Sequence, residues 1–425
     1  MKRPTGVQAF TLDSCSPAIE WRHAGRTGPF AVCDVLTARL AAPRSALSDV
    51  CAGAPVIQLH FARGRPDALQ TLSPAYFALV MATGIVAAAA RLHGVPVAPA
   101  VLFWLNAAFL AGLIVATCAR AWRYPAAFAA DIGSHSRGVG FFTVVAALAV
   151  FGDELVLQMH AIRSALFFWA AAAALLPLVL YGELAALTVR PDKPGLAGGL
   201  NGAWLLAVVA AQSVSILTVS LSASGAFAAS RQPLMFLALV LWLGAGALYL
   251  WLITLIFYRT TFLPMAPEDF TPPYWINMGA AAISTLAGAN LIGQSALSPI
   301  VTSVEPFIMG LTLLFWAVGS FWIPLLALLT VWAHLIRGLP FAYSPLGWGA
   351  VFPLGMYSVC TYHLAQILDA PFLAPISSAF MVIAAAAWTA TFAGLVDSRL
   401  NATFGRNSPT QAQPAESTPG DGAES

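Results

Sequence analysis

The chain has 425 residues, 59% of them hydrophobic and only 9% charged, with a formal net charge of +2 and a mean hydropathy of +0.78. That balance excludes a soluble domain, and the length leaves room for many spans of about 20 residues each. The chain reads as an all-α polytopic membrane protein.

Residues 1–71 mix Arg22, Arg26, Arg39, Arg44, Arg63 and Arg65 with Asp13, Glu20, Asp34 and Asp49 and hold no apolar run long enough to span. They read as a disordered cytoplasmic arm; a short amphipathic helix around Val35–Leu40 and a misplaced start codon stay open beside that reading. Residues 72–398 form the transmembrane domain. Its ten apolar runs centre on Pro74–Ala90, Ala98–Cys118, Gly138–Phe151, Ser164–Leu187, Gly199–Leu221, Leu234–Tyr258, Tyr274–Ala296, Pro306–His334, Gly347–Ala370 and Pro375–Leu395. The third is short because Asp153 and Glu154 close it. The alternation of short and longer loops predicts ten transmembrane helices as five hairpins. No internal repeat stands out at the residue level, and residues 399–425 have a disordered, polar composition on the cytoplasmic side.

Of the 20 Lys and Arg residues, seventeen fall on the amino-terminal side of the predicted membrane, and only Arg91, Arg163 and Arg231 on the other. The excess predicts that both termini are cytoplasmic and that the protein is integral to the cell (inner or plasma) membrane.

No Lys or Arg lies within a span, so no fixed cation is expected at the bilayer centre to hold an anion tightly. Glu183 in the fourth span and His363 in the ninth are candidate proton-coupling groups; an interfacial ion pair and a hydrogen-bonded packing histidine are the plainer readings. Trp104, Trp122, Trp169, Trp275 and Trp348 read as interfacial anchors. The five cysteines show no metal or disulfide spacing. P-loop, dinucleotide, HExxH and GxSxG motifs are absent from the sequence, so no enzyme activity, cofactor, metal, catalytic residue or nucleic-acid partner is expected.

Small and hydroxyl residues concentrate in the odd spans: Thr83 and Gly84 in the first, Phe142 and Thr143 in the third, Ser213 in the fifth, Asn277 and Gly279 in the seventh. Even spans are bulkier, which puts odd helices inside and even helices outside. Close helix packing explains any one small residue equally well. Together with a bend, these hydroxyls and amides offer weak solvation to a passing anion. The bend is expected at Phe352-Pro353-Leu354-Gly355, because proline removes a backbone hydrogen bond, with Phe352 aimed at the narrowest point of an ion pathway or, alternatively, into the core.

Three stretches, Leu72-Ser73-Pro74-Ala75-Tyr76-Phe77-Ala78-Leu79-Val80-Met81-Ala82-Thr83-Gly84-Ile85, Tyr274-Trp275-Ile276-Asn277-Met278-Gly279-Ala280 and Val351-Phe352-Pro353-Leu354-Gly355-Met356-Tyr357, resemble signature stretches of the tellurite-resistance/dicarboxylate transporter family. That family includes slow-type anion channels, malate permeases and sulfite efflux pumps. The resemblance implies five hairpins around a central, largely uncharged pore, odd helices inside, and a homotrimer in the lipid bilayer. It implies transport of small inorganic or organic anions, with Phe352 matching a pore-blocking phenylalanine; a proton-coupled malate, sulfite or tellurite carrier is the alternative. Where many members have Met-Gly-Thr-Gly, this chain has Met81-Ala82-Thr83-Gly84, one methyl bulkier.

Overall fold

Five short segments set the architecture of the membrane part: Ser73-Pro74-Ala75-Tyr76-Phe77, Arg137-Gly138-Val139-Gly140-Phe141, Asn201-Gly202-Ala203-Trp204-Leu205, Thr271-Pro272-Pro273-Tyr274-Trp275 and Ser344-Pro345-Leu346-Gly347-Trp348. The computed structural model describes residues 67–340 and 343–403, plus an antiparallel pairing of Ala9–Phe10 with Ile19–Glu20. The readings of the arm, Val35–Leu40 included, and of the tail beyond Thr403 otherwise lie outside the described residues. Met1–Arg65 and Pro66–Ser425 are separate units, and the second holds the whole membrane part.

Each of the five segments carries a 3₁₀ turn: Pro74–Phe77, Gly138–Gly140, Gly202–Leu205, Pro272–Trp275 and Pro345–Gly347. Proline suits a first turn because its missing N–H would have no partner there. Side-chain caps take up other free donors: the Ala75 N–H donates to Ser73 Oγ at 3.3 Å, Ala203 N–H to Asn201 Oδ1 at 2.9 Å, and Leu346 N–H to Ser344 Oγ at 3.2 Å. From these turns grow α1 (Ala78–Leu92), α3 (Phe141–Leu157), α5 (Leu206–Ala223), α7 (Ile276–Gly293) and α9 (Trp348–Ile367). Between and after them run α2 (Ala98–Arg123), α4 (Ile162–Val189), α6 (Arg231–Phe262), α8 (Glu305–Val331) and α10 (Ala374–Thr403).

The five odd helices close a ring: α1 packs on α3, α3 on α5, α5 on α7, α7 on α9 and α9 back on α1. Between 72% and 94% of the apolar windows in the first four odd helices is buried, against 6–44% in the even ones. In α9 every residue from Val351 to Thr361 is buried. The expected inside–outside partition is therefore present.

The even helices are fastened to the ring by a recurring device. Trp169 Nε1 of α4 donates to Thr218 Oγ1 of α5 at 2.8 Å, and Trp242 Nε1 of α6 donates to the Ser284 carbonyl of α7 at 2.8 Å. Trp316 Nε1 of α8 donates to Thr361 Oγ1 of α9, and Trp388 Nε1 of α10 to Thr83 Oγ1 of α1, each at 3.0 Å. A lone indole N–H in lipid would be costly, so each tryptophan locks one outer helix onto the next odd helix around the ring. The fifth pair, α2 on α3, uses Asn106 Nδ2 donating to Glu154 Oε2 at 2.6 Å instead. Trp169, expected as an interfacial anchor, thus spends its N–H within the protein, and Trp348 is fully buried; Trp104 and Trp122 are exposed.

Two further expectations change. Asp153 and Glu154 do not close the third helix, which runs on to Leu157 because Glu154 is buried and hydrogen-bonded rather than hydrated. α9 runs unbroken through Pro353, which stands in its second turn rather than at mid-span. Near a helix start a proline sacrifices only one early backbone bond, and its ring is accommodated by the missing side chain of Gly279 on α7. A Cβ there would lie 2.6 Å from Pro353 Cγ and 3.2 Å from its Cα. Gly279→Ala should therefore cost about 1–3 kcal/mol, since ring and backbone have little room to yield. An unchanged unfolding midpoint in detergent would remove this contact from the account.

Among the described residues nine helices are long and apolar enough to cross a membrane. The 20-residue α9 is not one of them, being diluted by Tyr357, Ser358, Thr361, Tyr362, His363 and Gln366.

Candidate functional site

At the end of the ring where the odd helices begin lies a cavity of about 40 Å³, room for roughly three waters. All five odd segments build it at the same register. The third residue of each segment, Ala75, Val139, Ala203, Pro273 and Leu346, lines the wall. One turn deeper come Ala78, Thr143, Leu206, Ile276 and Gly349, and Gly140, beside Val139, completes the upper wall. Another turn deeper, the lining consists of Met81 and Phe352. The spacing of three to four residues is that of one helix face turned to an axis. Both floor residues are almost fully buried, 1% exposed for Met81 and 2% for Phe352.

The wall is apolar apart from Ser136 and Thr143, and Thr143 Oγ1 is committed to the backbone, 2.8 Å from Pro74 O and 2.7 Å from Gly140 O. Of the predicted hydroxyl residues, Thr143 lines the cavity and Thr83 and Ser213 do not. Ser213 Oγ donates to Val209 O at 2.8 Å, and Thr83 Oγ1 donates to Leu79 O at 2.8 Å while accepting from Trp388. In a dry core a hydroxyl that finds no other acceptor bonds back to its own helix, which leaves no proton for an anion.

The remaining predicted residues divide between packing and a single unspent donor. Gly84 is packing: a Cβ there would lie 3.1 Å from both Asn106 Nδ2 and Glu154 Oε2. Gly355 lets α9 approach α1, where a Cβ would lie 2.8 Å from Ile85 Cγ2. Phe142 is buried but does not line the cavity, and neither does Ala82. Asn277, next to Ile276, keeps its side-chain amide fully buried with neither Oδ1 nor Nδ2 hydrogen-bonded. An unpaired buried amide is costly, so Asn277, which does not itself line the cavity, stands out as an unspent donor one residue past the wall residue Ile276.

Neither proton-coupling candidate is among the lining residues. Glu183 accepts from the Gly133 N–H at 3.0 Å and fills the space beside Gly138, bracing the loop that leads into α3. His363 meets Tyr362 edge-on at 5.8 Å, about three turns past the floor residue along α9.

Around the cavity mouth the loops are held by ion pairs and carbonyl bonds. Asp131, buried, takes Arg120 at 2.8 Å and Arg137 at 2.6 Å, and these arginines also reach the carbonyls of Gln70 and Thr71. Burial, and then the charges of Arg190 and Lys193, lower the pKa of His135, next to Ser136. The sequence reading missed Met81 as a lining residue, Ser136, and the five third-position residues. Their signal was the recurrence of a capping or polar residue, then Pro or Gly, then an aromatic, ahead of every odd span.

Comparison with known proteins fits this architecture. The chain is 37% identical over 160 residues to an uncharacterized membrane protein of Mycobacterium tuberculosis, covering 38% of this chain and 80% of that one. It is 23% and 24% identical to two uncharacterized transporters of Methanocaldococcus jannaschii, covering 70% and 72% of this chain and 86% and 87% of theirs. Residues 71–396, the whole ring with its outer helices, match the SLAC1 family of voltage-dependent anion channels, and the chain belongs to that family.

Proposed function

We propose that the protein passes small anions along the axis of the five-helix ring, with Phe352 as the gate that closes the path. The reading rests on one observation: all five inner helices present a common register to a single apolar cavity that ends on Met81 and Phe352. An apolar constriction bars an ion unless it can shed water, so weakly hydrated monovalent anions pass best. Asn277 is the donor available to an anion that has shed part of its shell. Transport, not catalysis, is the role this arrangement supports.

In this reading the ten helices form five hairpins and the arginine-rich cavity mouth faces the cytoplasm, as do both termini. The exposed apolar faces of α2, α4, α8 and α10 meet lipid and, in a homotrimer, sister subunits.

The test is anion flux in proteoliposomes across chloride, nitrate, sulfite and malate, with and without a proton gradient. Gradient-independent flux favouring chloride and nitrate is expected. Saturable malate or sulfite flux that requires the gradient would replace this reading with a proton-coupled carrier.

A further inference from the structure

An apolar, largely uncharged path needs some source of preference for anions over cations. Behind the cavity wall stands a buried cation with no ion-pair partner within 4.0 Å among the described residues. Arg259, in the last turn of α6, is 6% exposed. Its Nε donates to the Ala197 carbonyl at 2.8 Å, its Nη1 donates to Tyr274 Oη, and its Cζ lies 5.7 Å from the centre of the Tyr274 ring. Neither partner is charged. Among the described residues the ion pairs within 4.0 Å are those of Asp131 with Arg120 and Arg137, so no carboxylate there pairs with Arg259. Asp269, on the same loop as Tyr274, is exposed and accepts from the Ala266 N–H in its own turn.

The position of this charge is what matters. Tyr274 lies between Pro273 and Ile276, both in the cavity wall. The adjoining sector is sealed at Gly202, where a Cβ would collide with the Pro273 carbonyl and lie 2.8 Å from Tyr274 Cα. Ala203, next to Gly202, is also a wall residue. Arg259 therefore backs the sector of wall formed by the starts of α5 and α7. A charge held in buried surroundings is screened far less than one in water, and an unpaired buried charge draws in whatever counter-ion can approach it.

We propose that Arg259 is the fixed charge that makes the pathway select anions, an anion in the cavity serving as its transient counter-ion. This rests on the ring axis being the path, and it is separable from the identity of the gate.

The experiment is the reversal potential under a potassium chloride gradient, in reconstituted wild-type protein and on a Phe352→Ala background that enlarges the current. Arg259→Lys keeps the charge but not the fork of hydrogen bonds, and should stay anion-selective. Arg259→Gln should lower the chloride-to-potassium permeability ratio roughly ten-fold. Ala197→Glu, at an exposed position whose carbonyl Arg259 already contacts, should lower it in the same direction with the arginine in place, and decides the matter if Arg259→Gln does not fold. Unchanged selectivity in both neutralising variants would overturn the proposal. A Phe352→Ala background with no added flux would count against the gate alone, because selectivity is a ratio read at any conductance.

Discussion

Replacing Phe352 by alanine should raise chloride and nitrate flux at least about ten-fold. Phe352 and Met81 form the cavity floor, and nothing else in the cavity lining is as bulky as the phenylalanine ring. Removing the ring opens space in which an anion keeps part of its hydration, and each 1.36 kcal/mol taken off that barrier is a factor of about ten in rate. The same ring is 2% exposed, so its loss also costs packing, about 3–5 kcal/mol. The readout must therefore be taken on protein that is shown to be folded and of native size. Phe352→Leu, which restores most of the volume without the planar ring, should fall between wild type and alanine. Flux in folded Phe352→Ala equal to wild type would sink the gate.

How much of this was legible in the sequence depends on which force set each feature. The ring and its outer layer were legible, because burial of α1, α3, α5, α7 and α9 demands small residues and exposure of the even helices tolerates Leu, Phe and Trp. The end of α3 was not, because Glu154 carries the mark of an interface until its partner Asn106, 48 residues away, is brought beside it. Thr83, expected as a pathway group, receives the Trp388 indole N–H, as Thr218 and Thr361 receive those of Trp169 and Trp316. Proline at 353 suggested a break at mid-span, and only the facing Gly279 explains how the ring is accommodated in a continuous helix. The fivefold recurrence was written in the chain all along, from Ser73-Pro74 to Ser344-Pro345. It escaped notice because the residues vary and what repeats is turn chemistry, a cap followed by a residue suited to a first turn.

The Asn106–Glu154 pair should prove a costly polar contact to break. It occupies, between α2 and α3, the place that tryptophan occupies in the other four dockings, and it puts a carboxylate at 4% exposure with no cation bonded to it among the described residues. Among the described residues Glu154 Oε1 is supported only by Gln158 Nε2 at 3.3 Å, and Arg91 is exposed and donates to the Leu157 carbonyl. Asn106→Leu leaves that carboxylate without its short donor and should cost about 3 kcal/mol or more, read as a lower unfolding midpoint in detergent. Glu154→Gln keeps the shape and can still accept from Asn106, so its cost should be under about 1 kcal/mol. Removing both polar groups together, Asn106→Leu with Glu154→Leu, should recover stability relative to Asn106→Leu alone, a coupling that only a direct contact produces. Asn106→Leu as stable as wild type would show that the pair carries no weight. Transport separates structure from coupling at the same residue. If the pair only fastens α2 to the ring, Glu154→Gln conducts anions like wild type with or without a proton gradient. Loss of a gradient-driven flux in that variant would instead make Glu154, rather than His363 or Glu183, the proton site of a carrier.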